Sequence, residues 1–279
     1  MQIKLGKWNM LTVVKEVDFG LYLDGGEAGE ILMPARYVPQ ECEVGDAVEV
    51  FVYLDQEERL VATREEAKAE VGDFAFLKVA WTNRFGAFLD WGLMKDLFVP
   101  FGEQKMRMIQ GNSYIVHVHI DEETYRIVAS AKVERYLSSD MPDYETGDEV
   151  SVLIWQKTDM GFKAIVDNLY SGLIYNDEIF SSIRTGDCLK AFVKQVRPDG
   201  KIDIRLQRSG VEAIEDFSTI LLNELKASNG FLPFTDHSSA EAISERFQVS
   251  KKTFKKAVGK LYKQHLIRLE ENGIVLEES

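Results

Sequence analysis

Three stretches of this chain share one frame of glycines, and that frame limits what the chain can fold into more than any other feature of its 279 residues. Each frame is centred on a pair ending in glycine: Phe19-Gly20 in "DFGLYLD", Phe85-Gly86 in "RFGAFLD" and Met160-Gly161 in "DMGFKAI". Gly6, Gly72 and Gly147 stand 13 residues before the first member of the pair, and Gly45, Gly111 and Gly186 stand 26 residues after it. A basic residue then follows at 40, 41 and 41 residues, namely Arg59, Arg126 and Lys201. A period of this kind marks one supersecondary module built three times.

Within each copy the residues read as strands. "AVEVFVYL", "SYIVHVHI" and "LKAFVKQV" are rich in β-branched and aromatic residues and alternate in part between apolar and polar. The turn signals "VGD", "QGN" and "TGD" precede them. Polar turns also split the hairpins "YLDQEERLVA", "HIDEETYRIVA" and "QVRPDGKIDIR". Short strands at this density, with a glycine bending an early hairpin, predict a small Greek-key barrel of the OB-fold type. The expected fold is therefore mainly β: three tandem five-stranded OB-fold barrels followed by a C-terminal α+β winged-helix domain. The expected limits are 1–64, 65–140 and 141–210 for the barrels and 211–279 for the last domain.

The copies resemble the RNA-binding OB-fold domain named after ribosomal protein S1. "RFGAFLD" is similar to that family's Phe-Gly-Ala-Phe-Val-Asp element, and "DEETYRIVASAK" to its closing strand. The resemblance implies aromatic rings on an exposed strand face, where stacking contributes ~1–3 kcal/mol per base, with cations nearby for phosphate. Carried over residue by residue, the RNA-binding set is Phe19, Tyr22 and Arg59 in the first copy. It is Arg84, Phe85, Phe88 and Arg126 in the second, and Met160, Lys163, Tyr175 and Lys201 in the third. The family's histidine, in its Gly-Leu-Val-His element, is missing, and Met33, Val99 and Tyr175 take its place.

From Val211 the texture changes to helical. Ile214, Phe217, Ile220, Leu221, Leu222 and Leu225 form an apolar stripe, ended by Gly230 and Pro233. A short second helix follows, with Ser238 or Ser239 as its cap, and Ser250 caps a third. In that third helix Phe254, Val258 and Leu261 make the buried stripe, while Lys251, Lys252, Lys255, Lys256, Lys260 and Lys263 cover the rest. A hairpin about Asn272-Gly273 ends the chain. This is the element order of a winged helix, and the lysine-rich helix is the one that enters a groove in helix-turn-helix proteins. Its six lysines are therefore expected to bind RNA, with Lys252, Lys256 and Lys260 foremost. Lysines stand where Arg, Asn or Gln would be wanted for paired contacts to base edges, which favours RNA over reading a DNA operator. Three such barrels followed by a winged helix resemble the bacterial conserved virulence factor B family, which implies an RNA-binding regulator of gene expression.

The formal net charge is −13, which opposes non-specific attraction to phosphate. It is spread unevenly: −6 over 1–64, −3 over 65–140 and −2 over each of the last two segments. The C-terminal half is therefore expected to dominate binding. Cys42 and Cys188 lie far apart with no CxxC spacing, and no apolar run reaches membrane-spanning length, so a cytoplasmic protein with no membrane contact is expected. His117 and His119 share a strand face but lack a third metal ligand, and no Walker, GxSxG or HExxH motif occurs. No enzyme activity and no cofactor are expected. The partner expected is single-stranded RNA. The alternatives are a scaffold docking ribosomal or transcription proteins, or a DNA-binding transcription regulator using residues 250–265 on duplex DNA.

Overall fold

At each of the three anchor glycines the chain passes too close to a neighbouring strand for any side chain. A Cβ on Gly20, Gly86 or Gly161 would run into the carbonyl oxygen of Met33, Val99 or Ile174 respectively. Gly20 and Gly161 also hold φ of +151° and +149°, a region that L side chains rarely adopt. The anchor of the frame is thus a steric requirement of one tight crossing, made three times. Gly45, Gly72, Gly111 and Gly147 have room for a Cβ and are set by positive φ instead.

The computed structural model describes residues 2–207 and 211–277, in two units, 1–137 and 138–279. The expected limit at 210 falls outside the described residues. In the first unit, β1 (Lys7–Val17), β2 (Gly20–Asp24), β3 (Glu30–Pro34), β4 (Ala47–Leu54) and β5 (Leu60–Thr63) close into a barrel of order β1-β2-β3-β5-β4. Strands β6 (Phe74–Thr82), β7 (Gly86–Asp90), β8 (Leu97–Pro100), β9 (Ser113–Ile120) and β10 (Ile127–Ser130) close a second. In the second unit β11 (Glu149–Thr158), β12 (Gly161–Val166), β13 (Tyr170–Tyr175), β14 (Cys188–Val196) and β15 (Ile202–Arg205) close a third. In every barrel the third strand pairs in parallel with the fifth, through Leu32↔Val61, Phe98↔Val128 and Gly172↔Ile202. The fold class is the one expected from the sequence.

The first strand of each barrel carries a bulge at one equivalent place, between Val13 and Lys15, Val79 and Trp81, and Ile154 and Gln156. A bulge shifts the in–out alternation by one residue and re-aims the side chains beyond it. Inside, alternation fills each core, with Leu21, Leu23 and Met33 buried in the first barrel and Ala87, Leu89 and Val99 in the second.

The first two barrels also share a core. Phe51 of β4 meets Trp8 and Trp91 edge-on at 5.9 Å each, so one ring is wedged between two indoles from different barrels. Lys95 of the second barrel donates to the Asp55 backbone carbonyl of the first at 2.6 Å, and burial lowers the pKa of its ammonium.

The C-terminal domain runs α1 (Val211–Ala227), β16 (Phe231–Leu232), α2 (Ala240–Phe247), α3 (Lys251–Lys263), β17 (Ile267–Glu270) and β18 (Gly273–Leu276). Phe217, Leu221 and Leu225 pack on Ile243, Phe254, Val258 and Leu261. Two details differ from the sequence expectation, and one settles a choice it left open. Ile220 is exposed, because the buried face of α1 follows 217, 221 and 225. Ser239, not Ser238, caps α2 by accepting from the Ala242 amide at 3.0 Å. The wing turn is Glu271-Asn272, with Gly273 already paired to Glu270 in the strand. Gly273 is required by packing instead, since a Cβ there would strike the Leu232 carbonyl of β16.

Candidate nucleic-acid interface

In an OB barrel the outer sides of the first three strands form one surface. The registers Lys15↔Tyr22↔Leu32, Trp81↔Phe88↔Phe98 and Gln156↔Lys163↔Leu173 define the same cross-strand row in the three barrels. Only the second row is aromatic throughout.

In that second barrel Trp81 lies parallel to Phe88, with ring centroids 3.7 Å apart and planes within 3°. Phe88 is half-buried and leans on Phe98 at 4.9 Å, so it forms the under-layer of a plate whose upper ring is the indole. Trp81 is 42% exposed, and its indole N–H donates to Asp96 Oδ2 at 2.7 Å. Phe85, in the turn that precedes β7, is 58% exposed, with the Arg84 guanidinium 4.7 Å from its ring centroid. The sequence reasoning picked out Phe85, Phe88 and Arg84 and missed Trp81. The bulge explains the miss: simple alternation along β6 places Trp81 in line with buried Leu77 and Val79, and the extra residue turns it outward.

The first barrel offers a smaller version. Phe19 is exposed and meets Tyr22 edge-on at 6.4 Å, while Lys15 Nζ stands 5.5 Å from the Tyr22 ring. The third barrel places cations beside its rings, although its net charge is negative. Met160 is exposed, and Lys163 Nζ sits 5.0 Å from the Trp155 ring. Tyr175 accepts a hydrogen bond on its hydroxyl from Arg197 at 2.6 Å, and Lys194 Nζ lies 5.8 Å from its ring. Arg197 also donates to buried Asp203 at 2.7 Å, which raises the guanidinium's pKa.

One sequence expectation needs correction. Tyr175 does not share a place with Met33 and Val99: Gly161 pairs with Tyr175 where Gly20 and Gly86 pair with Pro34 and Pro100. The true counterpart is Ile174, fully buried like Met33 and Val99, since neighbouring strand residues face opposite sides. The recurring cations are each held in an ion pair at the surface. Arg59 is bound by Asp55 at 2.8 Å and Glu57 at 3.1 Å, and the Asp55 hydrogen bond raises its pKa. Lys201 pairs with Asp199 at 3.0 Å, and Arg126 pairs with Glu58 of the first barrel.

On α3 the lysines divide in two. Lys260 pairs with Glu215 at 3.0 Å, and Lys255 stands 3.8 Å from Asp236. Lys251, Lys252, Lys256 and Lys263 have no acidic partner among the described residues. Spacings of four, three and four align Lys252, Lys256, Gly259 and Lys263 on one helical stripe. Lys256, Gly259 and Lys263 border an open hollow of about 530 Å³ that Ile214, Glu215, Lys260 and Gln264 complete.

Residues 5–65 match the S1 domain family, and residues 219–276 match the CvfB-like winged helix domain. The C-terminal domain is a CvfB-like winged helix. Homologues run along most of the chain, as the sequence resemblance implied. YitL from Bacillus subtilis is 27% identical over 98% of this chain and 93% of its own length. Conserved virulence factor B from Staphylococcus aureus is 27% identical over 85% of this chain and 81% of its own. A solved multidomain protein with nucleic acid binding domains from Streptococcus pneumoniae is 22% identical, with 98% of each chain covered and a TM-score of 0.44. S1 and winged-helix domains are nucleic-acid-binding modules and in general are not enzymes. No helix among the described residues is long and apolar enough to cross a membrane.

Proposed function

We propose that this protein binds single-stranded RNA and acts as a regulator of gene expression. The Trp81–Phe88–Phe98 plate carries the reading: a flat indole held open to solvent on a β-barrel suits an unpaired base, whose faces are hidden in a duplex. The exposed Phe85 with Arg84 supplies a neighbouring ring and cation, and the α3 lysine stripe supplies sequence-independent attraction for phosphate. Stacking and charge thus reside on different elements.

The test is a salt-titrated anisotropy comparison of single-stranded RNA, single-stranded DNA and duplex DNA of one length, using the whole chain. Single-stranded RNA should bind tightest. Duplex DNA bound as well or better would reject the proposal in favour of a DNA-binding regulator.

A further inference from the structure

Asp96 enters the outer face of the second barrel two residues before Phe98, with buried Leu97 pointing inward between them. Trp81 reaches from β6 across Phe88 on β7 to this carboxylate next to β8, and the 2.7 Å hydrogen bond pins the indole flat. An ionised carboxylate only accepts, and its two oxygens offer about four acceptor positions. The indole takes one, and Asp96 has no other partner among the described residues. The rim of the plate at its N–H edge is therefore a negatively charged acceptor with capacity to spare.

Resting on the reading that a base stacks on this plate, we propose that Asp96 makes the second barrel select bases bearing an exocyclic amine over uracil. The amines of cytosine, adenine and guanine donate to the open oxygen of Asp96. Uracil presents its O4 carbonyl at that position. Its one donor on that edge, N3–H, lies between O4 and O2, so a carboxylate that accepts from it faces a further acceptor on each side. Hydrogen bonds to an ionised acceptor are about twice as strong as neutral ones. The flanking carbonyls offset that gain for uracil, whereas the amine of cytosine has a C–H on its outer side. The equivalent positions in the other barrels are Glu30 with Lys15, and Ser171 with Gln156, so neither pairs an indole with a carboxylate. The selection belongs to the second barrel alone.

Cytosine and uracil make the decisive pair, being equal in size and differing only at position 4 and at the N3 proton. Anisotropy titrations of the whole chain with labelled oligo-C, oligo-A and oligo-U of one length should give a five- to tenfold preference for oligo-C over oligo-U, about 1 kcal/mol. Asp96→Asn keeps an acceptor for the Trp81 N–H but brings a donor to the rim, so the ratio should fall to about one or reverse. Asp96→Ala releases the indole and should weaken all three oligonucleotides together, with the melting temperature checking that the barrel is intact. An Asp96→Asn protein that keeps the wild-type ratio overturns the proposal, as does a wild-type protein that binds oligo-C and oligo-U alike. Failure to bind any single strand would instead overturn the reading of the plate itself, and the selection with it.

Discussion

The second and third barrels are built on one framework and display opposite chemistry. Both place a glycine at the crossing, a bulge late in the first strand and a parallel pair between third and fifth strands. On the shared outer row, however, one shows Trp81, Phe88 and Phe98 and the other Gln156 and Lys163, with Leu173 of that row buried. Inward positions must fill a core at close-packed density, whereas outward positions answer only to solvent and ligand. The barrel is thereby conserved within the chain while its face is respecified.

The framework side of this comparison breaks most visibly at the glycines. Gly161→Ala should cost about 3 kcal/mol, since it combines a disfavoured φ with a clash against the Ile174 carbonyl. Thermal melting should show the loss in the second unit, and Gly86→Ala should place it in the first. Neutral behaviour of both variants would mean that the close crossing does not set the frame.

The face side is sharpened by substituting one register position in two barrels. Trp81→Ala should weaken single-stranded RNA binding about tenfold, the size of one lost base stack. Gln156→Ala, at the same place in the third barrel, should change it less than about twofold. Equal effects would erase the distinction between the two faces.

Charge and stacking separate next. Replacing Lys252, Lys256 and Lys263 with Ala should reduce the slope of log affinity against log salt by about 2, since each phosphate contact on a single strand contributes about 0.7. Trp81→Ala should leave that slope unchanged. A parallel response in both variants would show that the helix and the plate do not act separately.

The smallest effect concerns pH. His117 packs between Phe74 at 4.7 Å and Tyr136 at 4.1 Å, and burial lowers its pKa from 6.5 to about 4. Its nearest titratable neighbours, His119 and Asp73, act in opposite directions. The unfolded chain takes up the proton first, so stability is full above about pH 6.5 and declines as pH falls toward 4. His117→Gln should flatten that decline in acid melts of the first unit. An unaltered slope would show that the imidazole is not its source.

The framework was legible in the sequence because steric necessity writes itself as glycine, and glycine spacing survives wherever the crossing does. The face was only partly legible. Phe85 follows from its place beside Gly86, but Trp81 depends on a bulge that leaves no mark in residue type. The register of Tyr175 is within reach of the sequence: it stands 14 residues after Gly161, as Pro34 and Pro100 stand after Gly20 and Gly86, so the same count puts Ile174, not Tyr175, level with Met33 and Val99. Along α3 the lysines could be counted, yet which of them stay open depends on Glu215 and Asp236, acids on other segments of the fold.

The wedge of Phe51 between Trp8 and Trp91 bears on how the protein can be dissected. A cut between the first two barrels would leave an aromatic wall wet on both halves, inviting aggregation. A fragment meant to isolate the aromatic plate should therefore carry residues 1–137 as a whole, with the acidic leading barrel retained as its chaperoning half.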